Sequence, residues 1–256
     1  MALKIASWNV NSLRVRLEQV IQWAQSTSPD LILLQETKVT DDDFPIAAIS
    51  AAGYHAVIQG QKTYNGVAIL ATRAISAYPL ELPEILTQEQ RICATLVDDV
   101  LVINVYVPNG SEVGSEKYAF KLNWLEAFTT LVQTLLEQHP KIVIAGDFNI
   151  APEDRDVYDA ETWHEAILCS SPEREALQGL FMLGFADSFR LHHPEGERYS
   201  WWDYRAAAFR RNRGLRIDLT LISSPLIPAC TAADIDPTPR AWERPSDHAP
   251  TTAEFN

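Results

Sequence analysis

The stretch Lys141 to Asn149, KIVIAGDFN, constrains the fold more than any other part of the chain. Ile142, Val143, Ile144 and Ala145 form an unbroken apolar run, the pattern of a strand covered on both faces. The run stops abruptly at Gly146, Asp147, Phe148 and Asn149. Gly, Asp and Asn are turn formers, so a plain turn is one reading. The other is a site: a carboxylate and an amide two residues apart project to one side of extended chain and can hold a metal, a water or a phosphate oxygen. Repetition favours the site. Leu31 to Leu34 is closed by Gln35 and Glu36, Leu3 to Trp8 by Asn9, and Val100 to Val107 carries Tyr106 and runs on to Asn109.

The rest of the chain supplies layers for such strands. Leu17, Val20, Ile21 and Ala24 recur at helical spacing and predict a helix to about Ser26, and Phe120 to Leu136 carries the longest apolar stripe. Tyr54 to Ile58 and Val67 to Ala71 read as strands, Arg91 to Val97 and Val100 to Val107 as a hairpin about Asp98 and Asp99, and Glu173 to Leu183 as a helix. Tyr199 to Tyr204, Leu215 to Ile222 and Thr251 to Phe255 read as further strands, whereas the acid-rich residues 151–172 are assigned no element. No Pro, Gly or Ser-rich linker interrupts the 256 residues, so one domain spanning 1–256 is expected. The pattern suits an α/β fold in which two sheets pack face to face with helices outside. The similar openings IASWN and IVIAGDFN hint at a duplicated half.

A net charge of -13 argues against nucleic acid as a partner, because phosphate binding relies on clustered cations. Local distribution reverses this. Arg205, Arg210, Arg211, Arg213 and Arg216 fall within twelve residues that contain no acid. Such a run is either a solvated loop or a DNA-facing one. Cys93, Cys169 and Cys230 form no C-x-x-C pair and are odd in number, which points to a reducing compartment, the cytoplasm. The N-terminal residues MALKIASWN lack the apolar core of a secretory signal, and no membrane-spanning run is present, so no membrane partner is expected.

Gathered together, the strand ends and the SDH segment offer Asn9, Glu36, Tyr106, Asn109, Asp147, Asn149, Asp218, Asp247 and His248. Without cysteine this is a hard, oxygen-rich donor set, suited to Mg²⁺ or Mn²⁺ rather than Zn²⁺. Asp218 stands between Ile217 and Leu219, where a charge is costly unless paired. No serine elbow, nucleophilic cysteine or P-loop is present, which leaves metal-assisted hydrolysis of a phosphate ester as the chemistry.

The segments SWNVNSLR, LLQETK, VYVPNG, GDFNIAPED, SWWDYR, NRGLRIDL and PSDHAP, in this order and across nearly the whole chain, resemble the exonuclease III family of apurinic/apyrimidinic endonucleases, within the endonuclease/exonuclease/phosphatase superfamily. GD-x-N and SDH mark the superfamily's chemistry; NRGLRIDL and SWWDYR are specific to its DNA-repair branch. The resemblance implies a four-layered α/β sandwich of two mixed sheets. It also implies a Mg²⁺-dependent (Mn²⁺ possible) phosphodiesterase, working as a monomer on double-stranded DNA with abasic sites or blocked 3′ ends. It implies metal binding by Glu36, with Asn9 and Asp247, and in a two-metal form by Asp147 and Asn149. Asp147 would activate water, Asn149 stabilise the transition state, Tyr106 serve as the active-site tyrosine, and Asp218 orient His248 toward the phosphate. Asn109 and Arg91 would contact phosphate and Lys38 could touch DNA. Trp201, Phe209 and Leu215 would line a pocket for a baseless sugar, with Arg213 nearby in the basic loop. Trp202 is expected in the core instead, because adjacent strand residues face opposite ways. A superfamily phosphodiesterase acting on phosphoinositide, sphingomyelin or poly(A) is the alternative, and a silent DNA-binding module would require a broken site, which the sequence does not have.

Overall fold

The computed structural model describes residues 2–256. In chain order the elements are β1 (Leu3–Asn9), α1 (Leu13–Thr27), β2 (Leu31–Gln35), α2 (Ile46–Ala51), β3 (His55–Gln59), β4 (Val67–Ala71), α3 (Glu84–Thr87), β5 (Ile92–Val97) and β6 (Val100–Tyr106). There follow α4 (Glu116–Gln138), β7 (Ile142–Asp147), α5 (Ser171–Met182), β8 (Phe185–Asp187), α6 (Ser188–His192), β9 (Asp218–Ser223), β10 (Cys230–Ile235) and β11 (Thr251–Phe255). Two mixed sheets result, ordered β10-β11-β1-β2-β4-β3 and β5-β6-β7-β9-β8.

Period-two alternation sorts each strand between two apolar layers. On β7, Val143 and Ala145 enter the layer between the sheets, while Ile142 and Ile144 pack outward against Trp124, Phe128 and Val132 of α4. On β2, Leu31 and Leu33 face inward, while Ile32 and Leu34 join Val20 and Trp23 of α1 on the outer face. The near-continuous apolar runs follow from this arrangement, since both faces of these strands are covered. With helices on the outer faces the molecule is the expected four-layered α/β sandwich. Gly146 is required by close approach within the second sheet: a Cβ there would lie 1.8 Å from the Val105 carbonyl oxygen of β6.

The strand order also corrects the duplication. Each sheet contains a parallel pair joined by a helix, β1-α1-β2 and β6-α4-β7, followed by an antiparallel neighbour, β4 and β9 respectively. The repeat therefore equates β1 with β6 and β2 with β7, and the similarity of IASWN to IVIAGDFN does not relate the halves.

Three further expectations change. Tyr199 to Tyr204 is not a strand; Trp201 makes only single bridges to Leu215 and His248. The strand read from Leu215 begins as such at Asp218, because Arg216 and Ile217 leave the ladder to reach other partners. Residues 151–172 are built rather than loose: Ala151, Val157, Leu168 and Cys169 form a buried cluster with Leu215 and Ile217. Among the described residues no helix is long and apolar enough to cross a membrane.

Candidate active site

The inter-sheet layer is apolar along most of its length and polar at one end. The inward positions of β1, β2, β6 and β7 finish as Ser7 and Asn9, Gln35, Asn104 and Tyr106, and Asp147, all buried. In register, Asn9 stands beside Gln35, Tyr106 beside Asp147, and Asp147 beside Asp218. Because β9 runs antiparallel, its first residue arrives at the edge where the parallel strands end. One end of the sandwich thus collects side chains from five strands of the two sheets.

At the centre, donor atoms of Glu36, Asp147 and His248 lie within 4.8 Å of one another. Asn9 Nδ2 donates to Glu36 Oε1 and to Asp147 Oδ2, each at 2.9 Å, and so holds the two carboxylates together. Burial pushes the Asp147 carboxyl up to about 7, against the lowering effects of His248, Asn9 and the Asn149 amide. His248 Nδ1 is 2.9 Å from Asp218 Oδ2, and its Nε2 is 3.7 Å from Asp147 Oδ2. Burial disfavours the imidazolium, but the charges of Asp218 and Asp147 outweigh it and raise the group to about 10. His248 is therefore a cation at neutral pH, a donor and not a metal ligand. Tyr106 is held well above its ordinary value by burial and by the Glu36 and Asp147 charges, which keeps its phenol neutral.

The loops after the strands are tightly wound. Asn11, Ser12, Glu36, Lys38 and Asn149 all have left-handed φ, a concentration of backbone strain that accompanies functional loops. Asn149 meets Asp147 because the chain turns, not because a strand alternates. Its backbone N–H donates to Asp147 Oδ1 at 2.9 Å, and its Nδ2 donates to the Val107 carbonyl at 3.0 Å. Asn109 Nδ2 donates to Asn149 Oδ1 at 3.0 Å. Lys38 Nζ sits 2.9 Å from Glu36 Oε2, and Arg91 lies over the Tyr106 ring at 4.5 Å while pairing with Glu89.

Several expected members stand elsewhere. Asp247 lies outside the central group: Asn11 Nδ2 and Trp201 Nε1 each donate to one of its oxygens, both at 3.0 Å. Asn9 offers its nitrogen to the acids, since its Oδ1 already accepts from the Asn11 N–H. Trp201, Phe209 and Leu215 do not line one open pocket. Leu215 is wholly buried in the cluster with Val157 and Leu168, while Phe209 packs edge-on against Trp202 at 5.1 Å and under Arg240. Trp202 is in the core as expected. Of the five loop arginines, Arg210, Arg211 and Arg213 are exposed, Arg205 pairs with Asp203, and Arg216 is buried between Asp156 and Asp187.

Sequence reasoning missed three residues that hold the site. Ser200 Oγ donates to Asp218 Oδ2 at 2.6 Å and accepts from the Ile217 and Asp218 N–H groups. Ser246 Oγ donates to the Asn9 carbonyl at 2.6 Å and accepts from the His248 N–H. Asn11 bridges Asp247 and Lys38. Ser246 and Asn11 lie two residues from His248 and Asn9, a spacing that could have marked them; Ser200 carries no such signal.

Against known proteins, the family model described as Endonuclease/Exonuclease/phosphatase family matches residues 6–248. Exodeoxyribonuclease III of Haemophilus influenzae is 37% identical over 99% of this chain and 100% of its own. A 3′ phosphatase from Neisseria, solved bound to product DNA hairpin, superposes with a TM-score of 0.96 at 48% identity, covering 99% of each chain. An AP endonuclease from Archaeoglobus fulgidus superposes with a TM-score of 0.95 at 38% identity, again covering 99% of each. With a family match spanning nearly its whole length, and with acids, amides and an imidazole gathered at one edge of its two sheets, the chain belongs to the endonuclease/exonuclease/phosphatase family.

Proposed function

We propose that the protein is a metal-dependent DNA-repair nuclease that hydrolyses phosphate esters at 3′ ends and on the 5′ side of abasic sites in duplex DNA. The observation that carries this reading is the meeting of a two-carboxylate corner, Glu36 and Asp147, with the Asp218–His248 donor pair. The corner fits a hard divalent cation, Mg²⁺ or Mn²⁺, because the carboxylate oxygens of Glu36 and Asp147 converge within 4.8 Å with no thiolate among the donors. Glu36 and Asp147 would hold the ion, with Asn149 and Asp247 at its margin and Asn9 fixing the two acids. When bound, the ion supplies charge neutralisation at the phosphate.

The chain's own groups do the rest. Asp147, held by the Asn9 amide and the Asn149 N–H, takes a proton from water as the water oxygen bonds to phosphorus and the ester P–O bond breaks. The His248 cation, fixed through Nδ1 by Asp218, donates to a phosphate oxygen, and the neutral Tyr106 phenol adds a donor as charge builds, while Asn149 holds Asp147 in place through its N–H. Lys38, Arg91 and Asn109 lie around the site, where phosphate contact is supported by the charge of Lys38 and Arg91 and by the amide of Asn109; Arg213 and Trp201 extend the surface. Three unpaired buried thiols suit the cytoplasm.

A second reading, in which 3′-end hydrolysis outweighs abasic incision, is favoured by the burial of Leu215 and the turning of Phe209 onto Trp202, which keep two of the three expected lining residues from sharing one wall with Trp201. The test compares end-labelled duplexes that carry an abasic analogue, a 3′ phosphate or no lesion, each with Mg²⁺ and with EDTA. Metal-dependent cleavage or dephosphorylation is expected, and the ratio among substrates decides between the readings. No turnover of any duplex would overturn both.

A further inference from the structure

We propose that Lys121, buried on α4, is a positioning residue that fixes the backbone of the two loops carrying Asn109 and Asn149. The inference rests on the nuclease reading for its rate measurement alone. Lysine is almost never wholly buried unless paired, and both Lys121 and Glu173 are 0% exposed. The ammonium has three hydrogens and three acceptors. It donates to the Asn149 carbonyl at 2.7 Å, to the Asn109 carbonyl at 3.1 Å, and to Glu173 Oε1. Glu173 is saturated in turn. Its Oε1 accepts from the Leu168 N–H at 3.1 Å, and its Oε2 accepts from the Ser170 N–H at 3.1 Å and the Ser170 hydroxyl at 2.6 Å.

A buried ion pair kept only for stability needs the Glu173 contact alone, and apolar replacements of such pairs are often neutral. Here two of the three hydrogens go to loop carbonyls instead. Those carbonyls belong to the two residues whose side chains meet in the site, Asn109 Nδ2 lying 3.0 Å from Asn149 Oδ1. Asn149 is left-handed, with φ of 50°, so its peptide plane needs an outside restraint to hold one orientation. Lys121 supplies it from behind, out of reach of solvent, and α4 thereby registers the β6 loop against the β7 loop.

The test uses the neutral double variant Lys121→Met/Glu173→Gln, which leaves no buried charge unpaired, beside Glu173→Gln alone. Three quantities are read: single-turnover hydrolysis of the duplex substrate, duplex affinity, and the side-chain amide resonances of Asn109 and Asn149 in metal-free protein. In the double variant the rate should fall roughly 10²-fold, because small misplacements far from the chemistry reach that size, while affinity changes by no more than about threefold. The two amide pairs should shift. Glu173→Gln removes the counter-charge but keeps Lys121 Nζ in place to donate to both carbonyls, and should retain the rate within about tenfold. If the double variant fails to fold, Lys121→Leu/Glu173→Gln takes its place. Unmoved amide resonances with a rate within about threefold of the parent would overturn the proposal, as would rate losses that simply follow melting temperature in both variants. Absence of hydrolysis in the parent would count against the nuclease reading, and the resonances would still decide the role of Lys121.

Discussion

Replacing Ser200 with alanine should destabilise the protein more than any exposed serine change, although no charge or ring is lost. The Ser200 hydroxyl is 0% exposed. It accepts from the N–H groups of Ile217 and Asp218 at 3.1 and 3.0 Å, and donates to Asp218 Oδ2 at 2.6 Å. Alanine strands two buried N–H donors at about 1–3 kcal/mol each and removes a hydrogen bond to a charged acceptor, itself about 1.5–3 kcal/mol. These terms share one atom and do not simply add, so a net loss of about 3–5 kcal/mol is expected. With an m-value of about 3 kcal/mol/M, the urea midpoint should fall by about 1–1.7 M. Ser224→Ala is the control: its hydroxyl donates to the Gly184 carbonyl at an exposed position, and its effect should stay within about 0.5 kcal/mol. Denaturation followed by tryptophan fluorescence measures both. A Ser200→Ala midpoint within about 0.3 M of the parent, at unchanged m, would refute the claim that this hydroxyl anchors the start of β9.

Gly146→Ala should prevent soluble expression or lower the melting temperature by more than about 10 °C, because the new Cβ meets the Val105 carbonyl at 1.8 Å in the middle of the second sheet; an unchanged melting curve would show that β6 and β7 can separate freely. Neutralising Arg210, Arg211 and Arg213 together should weaken duplex binding and reduce the salt slope by about 3, near 0.9 per lost phosphate contact, and wild-type affinity and slope would make this loop a solvated surface only. Burial raises the thiols of Cys93, Cys169 and Cys230, that of Cys169 up to about 12. A raised thiol value means the protonated, unreactive form persists through pH 8, so a thiol reagent should find no group in the native protein and all three after denaturation. Fast modification of the native protein would contradict that burial.

How much of this was legible in the sequence follows from which physical signals are local. The strands β1, β2, β4, β6 and β7 were readable because burial on both faces forces apolar runs, and the abrupt change to Asn9, Glu36 and Asp147 marked the edge where the layer opens. Asp218 was readable because a carboxylate between Ile217 and Leu219 demands a partner. The short strands β8 and β10 were missed, three and six residues long and partly exposed at sheet edges, where the apolar signal is diluted. Arg216 was grouped with the surface arginines because sequence distance hides Asp156 and Asp187, its actual neighbours. The pocket that the resemblance implies for Trp201, Phe209 and Leu215 is not gathered in this structure, because Leu215 turns into the cluster with Ala151, Val157, Leu168 and Cys169, neighbours that sequence distance hides. Ser200 was invisible because a serine's value here lies wholly in three partners brought by the fold.

The central claim is that the polar end of the inter-sheet layer is a metal-assisted hydrolytic site centred on Glu36 and Asp147. Its most direct test is the single-turnover cleavage rate of a 3′-phosphorylated or abasic duplex as a function of Mg²⁺ concentration, for the parent and for Glu36→Gln. The expected result is no cleavage in EDTA and a half-saturating Mg²⁺ concentration at least about tenfold higher in the variant, with melting temperature little changed. Full activity in excess chelator, or superimposable Mg²⁺ curves for the two proteins, would contradict it.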